Sequence, residues 1–235
     1  MLSVVIPFYN EEENVSPLLD ELIPFLRSLK DPFEVICIDD GSVDNTLFEL
    51  KKKKSEYPEI RILVHKKNYG QSAAYATGFM KAKGEIIITM DGDMQYFPQD
   101  IEVLLERIKD ADAVCGIRRK RKDNVLRKIP SKIGNFLRNL LFKDNIKDMG
   151  CTYRAIKRDV LKDLPFFNGM HRFIPTLLKL QGYKVVECEV RHRKRIYGKS
   201  KYGIWNRMFV YLFDCIGILW WKKRALPKER IKEEI

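Results

Sequence analysis

Short apolar runs alternate with amphipathic stretches along the first half of the chain. The apolar runs are rich in β-branched side chains, which is typical of buried strands. They lie at residues 2–8, 33–38, 60–64, 85–90 and 111–116. The stretches between them repeat apolar residues at helical spacing, at 12–29, 46–57, 72–83 and 98–109. This alternation predicts an α/β fold with a mostly parallel central sheet flanked by helices.

The second half of the chain is less regular. Its apolar segments predict helices at 129–142, 170–181 and 205–221, and strands at 152–157 and 183–190. No segment reaches the ~20 apolar residues that a membrane span needs, and the chain opens into a strand-like run rather than a signal peptide. We therefore expect one domain over residues 1–205 and a C-terminal amphipathic tail over residues 206–235.

The tail combines an apolar helix with aromatic and basic residues at its end. Trp220 and Trp221 stand next to Lys222, Lys223 and Arg224. Aromatic side chains flanked by cations are typical of a helix that lies in a membrane interface. The tail therefore predicts membrane association, and a helix packed on the protein core or in a homodimer is the alternative.

Charge is divided unequally between the two halves. Residues 1–117 contain 13 Lys and Arg against 21 Asp and Glu, whereas residues 118–235 contain 31 against 11. This favours an acidic site that holds a metal ion and a basic surface that meets phosphates or an anionic membrane. The five cysteines include no CxxC pair, which argues against a disulfide framework and a structural zinc site and suits a reducing, cytoplasmic compartment.

Acidic residues follow the predicted strands where each one ends. Asp39 and Asp40 come after the second strand, and Asp91 and Asp93 come after the fourth. Ligands of parallel sheets bind beyond the carboxyl ends of the strands. Two carboxylates that flank a glycine can coordinate a hard cation through oxygen, so Asp91 and Asp93 are the predicted ligands of Mg²⁺ or Mn²⁺.

Six motifs, in order along residues 2–205, resemble family 2 glycosyltransferases of the GT-A fold, and among them the dolichol-phosphate mannose synthase and polyprenol-phosphate glycosyltransferase group. The motifs are residues 5–14 (VIPFYNEEEN), 38–42 (IDDGS), 68–74 (NYGQSAA), 90–95 (MDGDMQ), 148–154 (DMGCTYR) and 195–202 (RIYGKSKY). The family often carries Ser-Gly-Phe where this chain has Gly150-Cys151-Thr152-Tyr153. The order of the motifs makes the set more specific than any one of them.

The resemblance implies metal-dependent transfer of a sugar, with inversion, from a UDP- or GDP-linked donor to a polyprenyl or dolichyl phosphate. The enzyme would be peripheral on the cytoplasmic face of a membrane. The implied nucleotide-sugar residues are Pro7, Tyr9, Glu11, Ile38, Asp40, Gln71, Asp91, Gly92, Asp93 and Gln95. The implied catalytic residues are Asp91, Asp93, Arg118, Arg195 and Lys201. The candidates on the acceptor side are Arg118, Asp148, Arg172, Arg195, Ser200 and Lys201.

The basic residues suit such an acceptor. A lipid phosphate is already ionised near pH 7, so catalysis needs positioning and charge stabilisation rather than a strong base. Asp148 is a candidate for orienting a cation or the sugar. His171 and Arg172 are expected either in the core and cap of a helix or near the acceptor, whereas His65 and His192 are expected at the surface or in strands.

Other protein classes fit the sequence less well. A family 2 enzyme that extends a saccharide would need a positioned base and fewer cations. A nucleotidyltransferase would carry a basic, glycine-rich loop where this chain has Glu11, Glu12 and Glu13. A basic nucleic-acid-binding module, which charge alone would allow, does not explain the acidic strand ends, so we expect no nucleic-acid partner. A Rossmann dehydrogenase would carry GxGxxG after the first strand.

Overall fold

The computed structural model describes residues 1–118, 138–196 and 204–225. Residues 138–142 are helical, and the rest of the predicted helix 129–142 lies outside the described residues, as does most of the basic run 118–122. The first half contains β1 (Leu2–Phe8), α1 (Glu12–Ser28), β2 (Phe33–Asp39), α2 (Thr46–Glu56), β3 (Ile60–Val64), α3 (Gln71–Lys81), β4 (Ile86–Thr89), α4 (Ile101–Ile108) and β5 (Ala113–Arg118). The second half contains β6 (Arg154–Lys157), α5 (Met170–Leu180), β7 (Val185–Val190) and α6 (Ile204–Arg224).

The described strands form one sheet in the order β3-β2-β1-β4-β6-β5-β7. β1 pairs in parallel with β2 and β4, β2 with β3, and β5 with β7. The predicted α/β fold with a mostly parallel sheet is therefore confirmed. The exception is β6, which runs antiparallel between β4 and β5. Six parallel strands, β1, β2, β3, β4, β5 and β7, thus end at one edge of the sheet, here called the carboxyl edge, and β6 begins there.

Helix α1 shows why the amphipathic stretches fold as helices. Its buried apolar residues recur every three or four positions, which places them on one face. They are Val15, Leu18, Leu19, Leu22, Ile23 and Leu26. They pack with the β1 side chains in the main core, and each buried aliphatic side chain stabilises the fold by about 1.5–3 kcal/mol. This packing fixes the loop after β1 at the carboxyl edge.

The chain divides into two compact units. The first contains Met1–Asp123 and Asp144–Ser200, which include the whole sheet. The second contains Asn124–Lys143 and Lys201–Ile235, of which the structure describes residues 138–143 and 204–225. The predicted division into residues 1–205 and 206–235 stays a prediction. The candidate site lies in the first unit.

Helix α6 dominates the described part of the second unit. Val210, Phe213, Ile216 and Trp220 are exposed and recur at helical spacing, so they form an apolar stripe. Lys222, Lys223 and Arg224 occupy the last turn. Among the described helices, none combines the length and the apolar character needed to cross a bilayer.

Candidate active site

Asp91 is the first carboxylate after β4, and three donors hold it. Gln71 Nε2 donates to Oδ1 over 2.6 Å, and the Tyr75 hydroxyl donates to the same oxygen over 3.2 Å. Thr152 Oγ1 donates to Oδ2 over 2.6 Å. The donors come from α3 and from the segment before β6. Partners of this kind orient a carboxylate for an incoming cation.

Asp93, two residues further on, is almost completely buried. The Gln95 backbone N–H donates to its Oδ1 over 3.1 Å, and Arg195 Nη2 donates to its Oδ2 over 2.7 Å. Burial, followed by the charge of Asp91, raises the pKa of Asp93 to about 7, although Arg195 acts in the opposite direction. Because each carboxylate disfavours the charge of the other, a cation between them would be stabilising.

Gly92 separates the two carboxylates because the end of β1 leaves no room for a side chain. A Cβ at this position would lie 2.7 Å from Phe8 Cδ1 and 3.0 Å from the Pro7 carbonyl oxygen. Met94, which follows Asp93, has a φ of 59°, in the left-handed region. The resulting tight turn keeps both carboxylates at the carboxyl edge.

The pair has the donor chemistry of a Mg²⁺ or Mn²⁺ site. Both cations prefer oxygen ligands, and Mg²⁺ often takes only one or two carboxylates together with substrate phosphates and water. Among the residues that the structure describes, no cluster of three or more His, Cys, Asp or Glu could hold a metal by itself. The residues therefore fit a cation that arrives with, or is completed by, a phosphate ligand.

The predicted nucleoside residues begin at the end of β1. Pro7 pairs with Ile38 in the sheet, and Tyr9 and Glu11 follow in the loop. Glu11 Oε2 accepts a 2.6 Å hydrogen bond from Asn14 Nδ2, and its Oε1 lies 3.2 Å from Arg195 Nη1. Glu11 and Asp93 therefore share the guanidinium of Arg195.

Asp40 lies at the end of β2 and is also buried. Its Oδ1 accepts hydrogen bonds from His65 Nδ1 over 2.7 Å and from the Tyr69 backbone N–H over 3.0 Å. Its Oδ2 accepts from the Gly70 backbone N–H over 2.8 Å. Asp40 thus binds the turn that leads into α3, the helix that carries Gln71.

Arg118 and Asp148 form a two-pronged ion pair. Arg118 Nε and Nη2 each lie 2.8 Å from a different oxygen of Asp148, and both side chains are 11% exposed. A Cβ at Gly150 would lie 2.7 Å from Arg118 Nη2, so the glycine makes room for the guanidinium. The Arg118 guanidinium, for which a phosphate contact is predicted, is bound to Asp148 in this structure.

Arg195 is the last of three arginines in residues 191–195 that form ion pairs with acidic side chains. Arg191 Nε lies 2.7 Å from Asp100, and Arg193 Nη2 lies 2.6 Å from Glu21. Gln95 also contacts this segment, because its Nε2 donates to the Arg193 carbonyl over 3.4 Å. The alternating arginines place Arg195 against Asp93. Ser200 and Lys201, the other predicted residues of this region, lie outside the described residues.

His171 and Arg172 lie in the first turn of α5. Ser72 Oγ accepts from the backbone N–H of Gly169 and of His171, over 2.9 and 3.3 Å, and lies 2.7 Å from His171 Nδ1. The hydroxyl of Ser72, on α3, therefore caps the start of α5. Since this contact joins two helices, His171 has a structural role, whatever it contributes to the acceptor side.

Sequence reasoning missed Tyr75 and Thr152 as partners of Asp91. Tyr75 follows Gln71 by four residues in α3, and that spacing, which puts both on one helix face, was the available signal. Thr152 gave no such signal, since it is 61 residues from Asp91. His65, expected at the surface or in a strand, instead pairs with Asp40 and is mostly buried.

Comparisons with known proteins show the family of this chain. The family model described as glycosyl transferase family 2 matches residues 3–165. Dodecaprenyl-phosphate galacturonate synthase of Rhizobium johnstonii is 35% identical over 233 residues, covering 96% of this chain and 69% of that protein. Undecaprenyl-phosphate 4-deoxy-4-formamido-L-arabinose transferase of Proteus mirabilis is 36% identical over 220 residues, covering 93% and 67%.

Solved structures support the fold. Glucosyl-3-phosphoglycerate synthase from Mycobacterium tuberculosis, in complex with Mn²⁺, UDP and phosphoglyceric acid, superposes with a TM-score of 0.71 at 17% identity. The match covers 97% of this chain and 80% of that chain. A complex of the same enzyme with Mg²⁺ and UDP gives a TM-score of 0.68 at 16% identity. The predicted GT-A fold is confirmed, and the chain belongs to glycosyltransferase family 2.

Proposed function

We propose that this glycosyltransferase moves a sugar from a nucleotide-sugar to a polyprenyl phosphate, with Mg²⁺ or Mn²⁺ and with inversion at the anomeric carbon. The observation that carries the proposal is the pair Asp91 and Asp93, held at the carboxyl edge with the Arg195 guanidinium against it. The names of relatives that are 35% and 36% identical support the polyprenyl phosphate acceptor.

Each group has a distinct task in this proposal. The metal ion, when bound by Asp91 and Asp93, would neutralise the charge that develops on the leaving diphosphate. Gln71, Tyr75 and Thr152 keep Asp91 in one orientation, so little reorganisation is needed during the reaction. The loop after β1 and the end of β2 hold the nucleoside.

The acceptor side is cationic. Arg195 and Arg118 both carry guanidinium groups, whose planar fork suits phosphate oxygens. The carboxylates that hold them here, Asp93 and Asp148, keep the two forks oriented before a phosphate arrives. An ionised lipid phosphate attacks the anomeric carbon directly, so Asp148 serves as an orienting group rather than as a base.

The direct test is a screen of UDP- and GDP-sugars with polyprenyl phosphate and Mg²⁺ or Mn²⁺, with mass spectrometry of the lipid product. Asp91→Asn and Asp93→Asn should lose almost all transfer, whereas Asp159→Asn, which changes an exposed pair with Lys162, should not. Full activity in either site variant would refute the metal assignment. Transfer to a saccharide but not to the lipid would favour the saccharide-extending alternative.

We further propose that the protein is peripheral on the cytoplasmic face of a membrane. The α6 stripe exposes Phe213 and Trp220, which are 73% and 65% exposed, and the last helical turn is basic. Apolar side chains beside cations suit an anionic lipid surface. A homodimer contact through the same stripe is the alternative.

Liposome sedimentation separates the two possibilities. The protein should pellet with anionic vesicles at low salt and less so at high salt. Phe213→Glu should weaken this binding, whereas Phe48→Glu, on α2 and 65% exposed, should not. Loss of a dimer in Phe213→Glu, without any vesicle binding by the unmodified protein, would favour the homodimer.

A further inference from the structure

His65 connects three elements of the first unit. It directly follows β3, and its Nδ1 lies 2.7 Å from Asp40 Oδ1 at the end of β2. Its Nε2 lies 2.9 Å from Thr77 Oγ1 on α3. The His65 side chain is 12% exposed and that of Asp40 is 4% exposed, so the contact is largely protected from water. Protection of this kind strengthens a hydrogen bond to a carboxylate.

Asp40, which His65 contacts, also binds the backbone of residues 69 and 70. A carboxylate offers about four lone-pair sites, and three donors already point at Asp40: His65, the Tyr69 N–H and the Gly70 N–H. Two donors share Oδ1 and one binds Oδ2, so a further donor would be accepted at Oδ2. His65 is therefore the one side chain among the three donors that together set the rotation of the carboxylate.

The turn at residues 69–70 is held by the two backbone hydrogen bonds to Asp40. Gly70 has a φ of 90°, a conformation that glycine adopts readily and other residues rarely. Gly41 packs so closely on the neighbouring backbone that an added Cβ would lie 2.4 Å from the Lys67 carbonyl carbon. The segment after β3 is thus held against the end of β2 by backbone packing and by the Asp40 carboxylate.

The turn at residues 69–70 also fixes the position of the first residue of α3. Gln71 is the first residue of that helix, and its amide donates to Asp91 Oδ1 over 2.6 Å. A continuous path of contacts therefore runs from His65 through Asp40 and the Gly70 amide to Gln71 and Asp91. The path joins the residues expected at the nucleoside to those expected at the metal.

We propose that His65 is a positioning residue for nucleotide binding, acting through the 2.7 Å contact between its Nδ1 and Asp40. The inference rests on the proposed function, because it takes the carboxyl edge as the nucleotide site. His65 holds the Asp40 carboxylate in the rotation that binds the turn at residues 69–70, and so keeps Gln71 in place on Asp91. It does not itself take part in the chemical step.

Two substitutions of similar size test the contact. In His65→Asn the amide nitrogen takes the place of Nδ1 and keeps a donor for Asp40, whereas in His65→Gln the amide nitrogen reaches the place of Nε2 and keeps only the Thr77 contact. Binding of UDP and of GDP, each with Mn²⁺, is measured by calorimetry. Loss of a hydrogen bond to a charged group costs binding about tenfold or more, so we expect about tenfold weaker binding for His65→Gln and less than about threefold for His65→Asn.

Two controls separate positioning from loss of structure. Thr77→Val removes the outer partner of His65 and should leave nucleotide binding within about twofold, since the Asp40 contact remains. Thermal unfolding should give the two His65 variants similar midpoints. With an active donor identified, His65→Gln should raise the KM for that donor more than it lowers kcat, because the residue acts on binding.

Each outcome decides the question. A larger loss in His65→Gln than in His65→Asn, at similar stability, supports the inference. Equal losses in both variants, or no loss in either, overturn it and leave the proposed function standing, provided that the unmodified protein binds UDP or GDP. Failure of the unmodified protein to bind either nucleotide overturns both.

Discussion

Replacing Arg195 by glutamine should increase the affinity of the nucleotide-free protein for Mn²⁺. Arg195 places one cation between Asp93 and Glu11, at distances of 2.7 and 3.2 Å. A metal ion that binds Asp93 through Oδ2 competes with the shorter contact, and one that binds through Oδ1 is repelled by the charge of the same guanidinium. In Arg195→Gln that contact no longer opposes the metal, and Asp93 and Glu11 lose the positive charge that they share.

The size of the effect follows from the shorter contact. A hydrogen bond between charged groups contributes about 1.5–3 kcal/mol, and about 1.4 kcal/mol corresponds to a tenfold change in affinity. The side chain of Arg195 is 28% exposed, so solvent screens part of this energy. We therefore expect the lower end of the range, a gain of about tenfold in Mn²⁺ affinity.

The assay is electron paramagnetic resonance of free Mn²⁺ without nucleotide, under anaerobic conditions at about pH 8.5. The pKa of Asp93 is about 7, and Arg195 lowers it. In Arg195→Gln the Asp93 carboxyl therefore stays protonated to higher pH, and a protonated carboxyl binds Mn²⁺ poorly. The gain in Mn²⁺ affinity should accordingly shrink as the pH is lowered towards 7. Arg193→Gln is the matched control, because it removes one charge from the same segment but contacts Glu21. Equal gains in both variants would mean that the loss of one positive charge explains the effect, and would refute the reasoning. No gain in Mn²⁺ affinity in Arg195→Gln would refute it as well.

Three further predictions concern stability and metal binding. Without metal, the free energy of unfolding should fall as the pH rises from about 5 to 7. The pKa of Asp93 is near 3.9 in the unfolded chain but about 7 in the folded protein, so in this range the folded protein keeps a proton that the unfolded chain has lost. Urea unfolding in a chelator should show a smaller fall for Asp93→Asn, and equal falls would contradict the reasoning. Gly78→Val should destabilise by about 1–3 kcal/mol in urea unfolding, because its Cβ would lie 2.3 Å from Val5 Cγ1, and an unchanged midpoint would be the contrary result. Thr152→Val should weaken Mn²⁺ binding about tenfold by calorimetry while Thr152→Ser retains it, since Thr152 contacts Asp91 through its hydroxyl, which serine keeps and valine lacks, and equal losses would exclude that role.

Much of the first half of the fold could be predicted from the sequence. Apolar runs and helical periodicity are local signals, and the strands β1 and β3 have the predicted bounds, 2–8 and 60–64. The position of Asp91 and Asp93 at a strand end followed from the same pattern. The antiparallel direction of β6 did not, because a short apolar run reads the same in either direction and only its pairing with β4 and β5 sets its orientation.

The contacts inside the candidate site were less predictable. The Asp40 carboxylate was expected at the nucleoside, but its hydrogen bonds to His65, Tyr69 and Gly70 depend on how two loops meet. Arg118 and Asp148 were both candidates on the acceptor side, yet their mutual ion pair was not foreseen. Such pairs are selected by tertiary packing, and neither composition nor spacing records which cation faces which acid.

The direction of β6 also has a consequence for how the chain folds. Because β6 separates β4 from β5, the sheet cannot close until residues 154–157 have paired with β4, some 65 positions earlier in the chain. Until then β4 has an unpaired side, and open strand edges invite association with other chains. Thr152, just before β6, reaches Asp91 only in the same event. We therefore expect a nascent or truncated chain that ends before β6 to be prone to aggregation and to lack the donor to Asp91 Oδ2, so that solubility and the complete metal site arise together.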